Sequence, residues 1–305
     1  MFVSEGCQGA SLAVGKRPIG IFDSGLGGLT VVREIRKQLP EESITYFGDL
    51  ARLPYGIKSK EQILRFSVEN TRFLLSQSVK AVVIACNSSA SAAYPYLKKN
   101  FHVPIVDVIG PAVEAALSLT RTGRVGLIAT QATVESGAYT RALACRAPKA
   151  KLFSQPCPML VPVVEAGWLR GTLTDQIIRK YLEPLKRWRL DTLILGCTHY
   201  PLLRSGIQRA LGHSVRLIDS AQPTVQKLVG LLTELKLNNP GRKKGSLKVF
   251  VSDLPRDFKR IGERFLGEKL NHVKVIRNSH SAGDAALLQA RQKEQSPSDV
   301  LIEAS

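Results

Sequence analysis

Two stretches of the sequence resemble each other: residues 79–88, VKAVVIACNS, and residues 190–199, LDTLILGCTH. Each is an apolar run that ends in a cysteine followed by polar residues, and a helix-like stretch comes after each. A run that is apolar throughout is typical of a strand buried on both faces of a parallel sheet. Earlier in each half, residues 18–24, PIGIFDS, resemble residues 124–130, RVGLIAT. The two similarities, in the same order, predict a duplicated α/β unit.

The rest of the chain alternates in the same way between short apolar runs and amphipathic stretches. A helix is predicted over 60–77, because Ser59 and Gln62 form a capping box ahead of an apolar stripe. Alternating strands and helices indicate a parallel sheet covered on both faces. The predicted strands are 18–22, 43–47, 79–85, 104–108, 124–129, 191–195, 215–218 and 247–251.

The predicted fold class is α/β: two similar three-layer lobes related by a pseudo-twofold duplication, with the active site in the cleft between them. The strand at 247–251 needs a sheet to join, and the second half already has its strands, so the chain is expected to return to the first lobe. The predicted divisions are an extension at 1–16, a first lobe at 17–109 plus 220–278, a second lobe at 110–219 and a tail at 279–305.

Composition limits the function. The 305 residues carry a formal charge of +18. Because 44% of them are hydrophobic, the chain is not a disordered polyelectrolyte. A basic surface attracts nucleic acid, anionic membranes or anionic substrates. Nucleic-acid binding is not expected, because the longest basic run is only 242–244 and 6% of residues are aromatic. A basic nucleic-acid-associated protein stays open as the alternative from another functional class.

Targeting signals and cysteine pairing are not evident. The first 15 residues lack the features of a signal peptide, and no run reaches the ~18 apolar residues of a membrane span. The protein is therefore expected to be cytoplasmic and not to bind a membrane. Its five cysteines contain no C-x-x-C pair, so a zinc ribbon or a disulfide framework does not fit. Cys7 is expected to be idle, and Cys145 and Cys157 to serve packing.

The first predicted strand runs into a glycine-rich turn, DSGLGG at 23–28. Glycines let backbone N–H groups approach a carboxylate or phosphate at the start of a helix. Dinucleotide binding is disfavoured, because the final glycine of G-x-G-x-x-G is absent and Asp23 would place a carboxylate near the pyrophosphate.

Cys86 and Cys197 each follow a buried strand, where open α/β sheets bind ligands. The dipole of a following helix is expected to lower the thiol pKa. Two thiols flanking one cleft could remove a proton from one face of a carbon and return one to the other, which is racemisation without a cofactor. Hydrolysis by Cys197 with His199 is the competing chemistry, but it leaves Cys86 unexplained.

Seven motifs together resemble the cofactor-independent, two-cysteine aspartate/glutamate racemase family. The resemblance extends from Pro18 to about Phe265, and His199, where aspartate racemases typically have Glu, favours glutamate. The matching motifs are DSGLGG at 23–28, Asp49 with PYG at 54–56, CN at 86–87, Thr130 with TVES at 133–136, VVEAG at 163–167, GCTHYP at 196–201 and DS at 219–220.

The resemblance implies roles for particular residues. Cys86 would take the α-proton from D-glutamate, assisted by Asp23, and Cys197 would take it from L-glutamate, assisted by Glu165 and His199. One departure is Ser88, where the family usually has Thr. The expected substrate-binding residues are Asp23, Ser24, Tyr55, Gly56, Asn87, Ser88, Thr130, Thr198 and His199.

The resemblance also implies no cofactor or metal, a homodimer, and a supply of D-glutamate for peptidoglycan. Two alternatives within catalysis stay open: a racemase of another amino acid such as aspartate, and a decarboxylase that uses one cysteine. The extension is expected to be disordered, with a regulatory site for a cell-wall precursor as the alternative.

Overall fold

The computed structural model describes residues 14–276. The predictions for the tail at 279–305 and for most of the extension at 1–16 lie outside this range. Within it, ten strands form two sheets in which every pairing is parallel. The strands are β1 Ile19–Asp23, β2 Ile44–Gly48, β3 Ala81–Ile84, β4 Ile105–Asp107, β5 Arg124–Ala129, β6 Lys151–Pro156, β7 Thr192–Gly196, β8 Arg216–Asp219, β9 Leu247–Val251 and β10 Val273–Val275.

The two sheets share one strand order. The first runs β10-β9-β2-β1-β3-β4 and the second β6-β5-β7-β8. The first four strands of each half thus lie in the order second, first, third, fourth. We call the six-stranded sheet with its helices the first lobe and the four-stranded sheet with its helices the second lobe. The repeated order agrees with the internal sequence similarity.

The chain leaves the first sheet after β4, builds the second sheet and then returns. β9 pairs with β2, with Ile44 opposite Leu247 and Gly48 opposite Val251. β10 then adds to the outer side of β9. The first sheet is therefore assembled from two stretches separated by the whole second sheet.

Helices connect the strands. The helix beginning at Lys60 starts where predicted, and the Ser59 hydroxyl accepts a hydrogen bond of 3.2 Å from the Gln62 N–H. The helices are α1 Leu29–Gln38, α2 Lys60–Ser76, α3 Asn87–Asn100, α4 Ile109–Leu119, α5 Gln131–Glu135, α6 Ala138–Arg146, α7 Leu160–Glu165, α8 Thr172–Lys186, α9 Arg204–Leu211, α10 Ala221–Glu234 and α11 Phe258–Leu266. No helix among the described residues is long and apolar enough to cross a bilayer.

Both faces of the first sheet are buried. Within β1, Ile19 and Ile21 belong to one apolar core and Phe22 to another on the opposite face. This arrangement explains the uninterrupted apolar runs, because successive side chains of a strand point to opposite faces and both faces exclude water.

The eight predicted strands are present, 124–129 and 247–251 with the predicted ends and the other six with shifted ends, and two further strands were missed. β6 and β10 are edge strands whose residues are half-buried or exposed. Neither reads as a buried apolar run, since β6 carries polar residues and ends in Pro156, and β10 has three residues.

Candidate active site

A cavity of about 280 Å³ lies between the carboxyl ends of the two sheets. Its walls come from the segments that follow β1, β2 and β3 in the first lobe and β5, β6 and β7 in the second. The lining residues are Ser24, Leu53, Pro54, Tyr55, Gly56, Ile57, Cys86, Asn87, Ser88, Thr130, Gln131, Pro158, Met159, Val161, Pro162, Cys197, Thr198 and His199. Both cysteines singled out in the sequence therefore reach one cavity, each from a different lobe.

On the first-lobe side, Cys86 immediately precedes α3 and is buried. Its thiol donates a hydrogen bond of 3.6 Å to the Ser24 hydroxyl, and it packs with Tyr55 and Phe66. Burial, followed by the negative charge of Asp23, raises the pKa of Cys86 to about 11. The backbone N–H of Ser89 at the start of α3 lowers this pKa, in the expected direction, but burial outweighs it, so the expected low pKa of Cys86 is wrong.

Asp23 lies at the end of β1 and is fully buried behind the cavity wall. Its carboxylate accepts hydrogen bonds from the Gly25 N–H at 3.0 Å and from the Thr198 hydroxyl at 3.5 Å. Burial raises its pKa, while the charge of His199 and the backbone amides oppose that rise. Gly28 is required beside it, since a Cβ there would lie 2.7 Å from the Asp23 Cβ. Asp23 can therefore act on the cavity only through its neighbours.

On the second-lobe side, Cys197 is part of a chain of polar groups. Its Sγ lies 3.9 Å from His199 Nδ1, and His199 Nε2 lies 3.1 Å from a carboxylate oxygen of Glu165. Burial lowers the pKa of His199, but its contacts with Cys197 and Glu165 outweigh burial and raise the pKa to about 10. At neutral pH the structure thus places an imidazolium beside the Cys197 sulfur.

The first lobe also packs against this imidazole. The ring of Phe265 in α11 meets the ring of His199 edge-on, with centroids 5.1 Å apart. Gly27 lies so close that a Cβ there would overlap the Thr198 hydroxyl and lie 2.7 Å from His199 Nδ1. The position of His199 therefore depends on both lobes.

Hydroxyl groups from both lobes meet at the cavity, which Ser88 and Thr130 line. The Ser88 and Thr130 oxygens, from different lobes, lie 3.0 Å apart, and Thr133 lies 3.0 Å from Thr130. Asn87 accepts a hydrogen bond of 2.6 Å from the Tyr139 hydroxyl, while its buried Nδ2 has no hydrogen-bond partner among the described residues. Such donors suit a ligand that carries carboxylates.

No lysine or arginine is among the residues that line the cavity, so the imidazolium of His199 is its cationic group. Within residues 14–276 no group of three or more His, Cys, Asp or Glu side chains could hold a metal ion. The arrangement offers two thiols, a cation beside one of them, and several hydroxyl and amide donors. These groups are suited to moving protons on a small anionic molecule.

The structure brings the predicted site residues together, and all but two of them line the cavity. Asp23 and Glu165 do not line the cavity, although each contacts a residue that does. The remaining predicted residues line it: Ser24, Tyr55, Gly56, Cys86, Asn87, Ser88, Thr130, Cys197, Thr198 and His199.

Sequence reasoning missed several contributors. Thr133 lay within a quoted motif but received no role, and Tyr139 gave no local signal for its contact with Asn87. The wall formed by 158–162 follows β6, a strand that was not predicted. The packing expectation fits Cys157, which is buried, and is wrong for Cys145, which is exposed.

Comparison with known proteins gives a consistent result. The model of the Asp/Glu/hydantoin racemase family matches residues 19–228. The glutamate racemase of Syntrophus aciditrophicus is 46% identical over 259 residues, covering 85% of this chain and 96% of that protein. The glutamate racemase of Geobacter metallireducens is 44% identical over 257 residues, covering 84% and 95%.

Solved structures agree with the sequence comparison. The crystal structure of glutamate racemase from Francisella tularensis in complex with D-glutamate superposes with a TM-score of 0.83 at 37% identity. The similarity covers 87% of this chain and all of that one.

Proposed function

Because the chain belongs to the Asp/Glu/hydantoin racemase family, we propose that it interconverts L- and D-glutamate by proton transfer between Cys86 and Cys197, without a cofactor. The observation that carries this proposal is that the two cysteines enter one cavity from different lobes. A substrate held between them would present a different face of its α-carbon to each thiol.

In the direction from L- to D-glutamate, the Cys197 thiolate removes the α-proton. The C–H electron pair stays on the α-carbon, and the Cys86 thiol donates its proton to the other face. The imidazolium of His199, 3.9 Å from Cys197, stabilises negative charge on that sulfur before transfer. The raised pKa of Cys86 favours the thiol form, which is the proton donor in this direction.

The reverse reaction uses the same groups with exchanged roles. Cys86, as thiolate, takes the proton of D-glutamate, and Cys197 donates the new one. The Ser24 hydroxyl, within hydrogen-bond distance of Cys86, can donate to the thiolate when it forms. Asp23 is fully buried next to this pair, where its carboxylate accepts hydrogen bonds from the Gly25 N–H and the Thr198 hydroxyl.

The α-proton of an amino acid is very weakly acidic, so the site must stabilise the carbanion-like transition state. Asn87, Ser88 and Thr130 supply amide and hydroxyl donors for the substrate carboxylates, and the cleft keeps water away. Thr198 lies between the Asp23 carboxylate and the His199 ring and can reach either.

Further proposals rest on the family and on the order of strands. We propose lobe boundaries of 17–109 plus 220–278 and of 110–219, a homodimer, and a cytoplasmic enzyme whose D-glutamate supplies peptidoglycan. The boundaries are supported by the return of β9 to β2.

Incubation of the purified protein with L-glutamate in deuterium oxide tests the function. The expected result is D-glutamate that carries deuterium at the α-carbon, measured by chiral chromatography with mass spectrometry. Aspartate, incubated in parallel, should turn over much more slowly. Inversion of aspartate or another amino acid without inversion of glutamate would reject the substrate, and no α-proton exchange with any amino acid would reject racemisation.

A further inference from the structure

Asp49, which follows β2, is fully buried and accepts hydrogen bonds from three side chains. Arg52 Nε donates to one carboxylate oxygen at 2.6 Å, and the Tyr55 hydroxyl donates to that same oxygen. The Ser252 hydroxyl, just after β9, donates to the other oxygen at 2.9 Å. The carboxylate therefore ties the segment after β2 to the strand that returns from the second lobe.

Tyr55 is the point at which this network reaches the cavity. Its side chain lines the cavity and packs in one apolar cluster with Cys86 and Phe66. The Tyr55 hydroxyl also accepts a hydrogen bond of 3.2 Å from Asn70. Because the Tyr55 hydroxyl donates to Asp49 and accepts from Asn70, the ring is held in place as part of the wall that buries the Cys86 thiol.

The next residue, Gly56, packs against the other lobe. Gly56 lies against Thr130 of the second lobe, and a Cβ at Gly56 would be 2.7 Å from the Thr130 Cβ. Such a close fit between lobes requires that the segment 53–57 keep its position. A shift of about an ångström in an active-site wall can cost up to about a hundredfold in rate.

We infer that Asp49 is a positioning residue: it holds Tyr55 against Cys86 and so keeps water from the first-lobe thiol. The inference rests on the proposed racemisation and adds to it a residue that touches neither cavity nor substrate. Arg52 supports the same role, because its guanidinium meets Asp49 and also lies 4.1 Å from the centre of the Phe66 ring.

Asp49→Asn tests the inference. The amide keeps the shape of the carboxylate but replaces one of its two oxygens by an N–H₂ group, which cannot accept the hydrogen bonds that this oxygen received. Loss of the hydrogen bonds that hold the segment 53–57 in place should lower kcat/KM by up to about a hundredfold. Water admitted beside Cys86 should lower its pKa. The pH midpoint for alkylation of Cys86 by iodoacetamide, followed by peptide mass spectrometry, should therefore move downward.

A double-mutant cycle distinguishes positioning from independent damage. If Asp49 acts through Tyr55, adding Asp49→Asn to Tyr55→Phe should cost no more than the larger single loss. Losses that multiply would overturn the inference, as would an unchanged alkylation midpoint. If the Asp49 variant does not fold, the alkylation midpoint of Cys86 is measured in Tyr55→Phe alone, where it should also move downward.

Asp191→Asn is the matched control. Asp191 also accepts several hydrogen bonds, from Thr120 and from the backbone of Arg121 and Thr122, but it does not line the cavity. This variant should unfold more easily and leave the Cys86 midpoint in place. A midpoint that moved equally in the control would count against Asp49. Alkylation needs no substrate, so absence of glutamate exchange in the unaltered protein would reject the proposed function separately.

Discussion

Cys86 and Cys197 are related by the internal repeat, yet their surroundings differ in charge. Cys86 lies among aromatic rings with a buried carboxyl nearby, and its pKa is raised to about 11. Cys197 lies beside an imidazolium that is paired with Glu165. One thiol is thus kept protonated by burial, while negative charge on the other is stabilised by a cation. The repeat supplied two equivalent positions, and the residues around them differ: aromatic rings and Asp23 lie near Cys86, and His199 with Glu165 lies beside Cys197.

This asymmetry cannot change the equilibrium, because L- and D-glutamate have equal free energies in water. The values of kcat/KM in the two directions must therefore remain equal in every variant. At any pH, the two directions can differ only in how this common ratio is divided between kcat and KM.

Removal of either thiol should have the largest effect. Cys86→Ala and Cys197→Ala should each lower racemisation by about 10²- to 10⁴-fold, the usual contribution of a general acid or base. Proton exchange should separate them: Cys86→Ala should exchange only the α-proton of L-glutamate with deuterium oxide, and Cys197→Ala only that of D-glutamate.

Mass spectrometry of the unreacted enantiomer gives this measurement. Cys145→Ala, at an exposed cysteine outside the cavity, is the matched control and should racemise normally. Full inversion by either single variant would contradict the two-base mechanism.

Glu165→Gln should have the next largest effect, since it removes the anion that helps to hold the His199 proton. Glu165 is one of the groups that raise the pKa of His199, so this pKa should fall below about 10. The loss of activity at high pH should then begin at lower pH, and kcat/KM near neutrality should fall about tenfold, as for a lost charged hydrogen bond.

The pH profile of kcat/KM between neutrality and strong base measures this shift. Glu183→Gln is a suitable control, because Glu183 pairs with Lys186 at an exposed site. An unmoved alkaline limb would mean that the Glu165 contact does not control the imidazolium.

Asp23→Asn tests the other thiol. The charge of Asp23 is one of the causes that raise the pKa of Cys86, after burial. Its removal should lower the alkylation midpoint of Cys86, and kcat/KM should fall by several-fold up to about tenfold as the hydrogen bond from Thr198 weakens. A midpoint that rose would reverse the assigned sign of this interaction.

Phe265→Leu should have the smallest effect of the four. It removes an edge-on ring contact with His199, worth about 0.5–1.5 kcal/mol, and keeps an apolar side chain. A reduction of roughly two- to tenfold in kcat is expected, with the alkaline limb little changed. A loss clearly larger than that of Glu165→Gln would show that the ring contact matters more than the ion pair.

The sequence predicted most of the residues that line the cavity. Buried parallel strands are uninterrupted apolar runs, so β1, β3, β5 and β7 were recognised. The residues just after their carboxyl ends could then be identified as candidates for the site. Edge strands such as β6 are only half-covered and carry no such pattern. The wall at 158–162 was missed with it.

Long-range contacts were beyond the sequence. Nothing near Asn87 indicates that Tyr139 donates to it, and nothing near His199 points to Phe265. The pKa of Cys86 was expected to fall because the helix that follows is visible in the sequence, whereas the rings of Tyr55 and Phe66 that bury the thiol come from a separate segment.

The return of β9 to β2 has a consequence during protein synthesis. The four strands of the second sheet lie within residues 124–219, so that sheet can close while the ribosome is still translating the remainder. The first sheet begins earlier but needs residues 247–251 and 273–275 before its six strands are complete. The half of the enzyme that is made first is therefore the half that finishes folding last, and Asp49 acquires its Ser252 partner only at that stage.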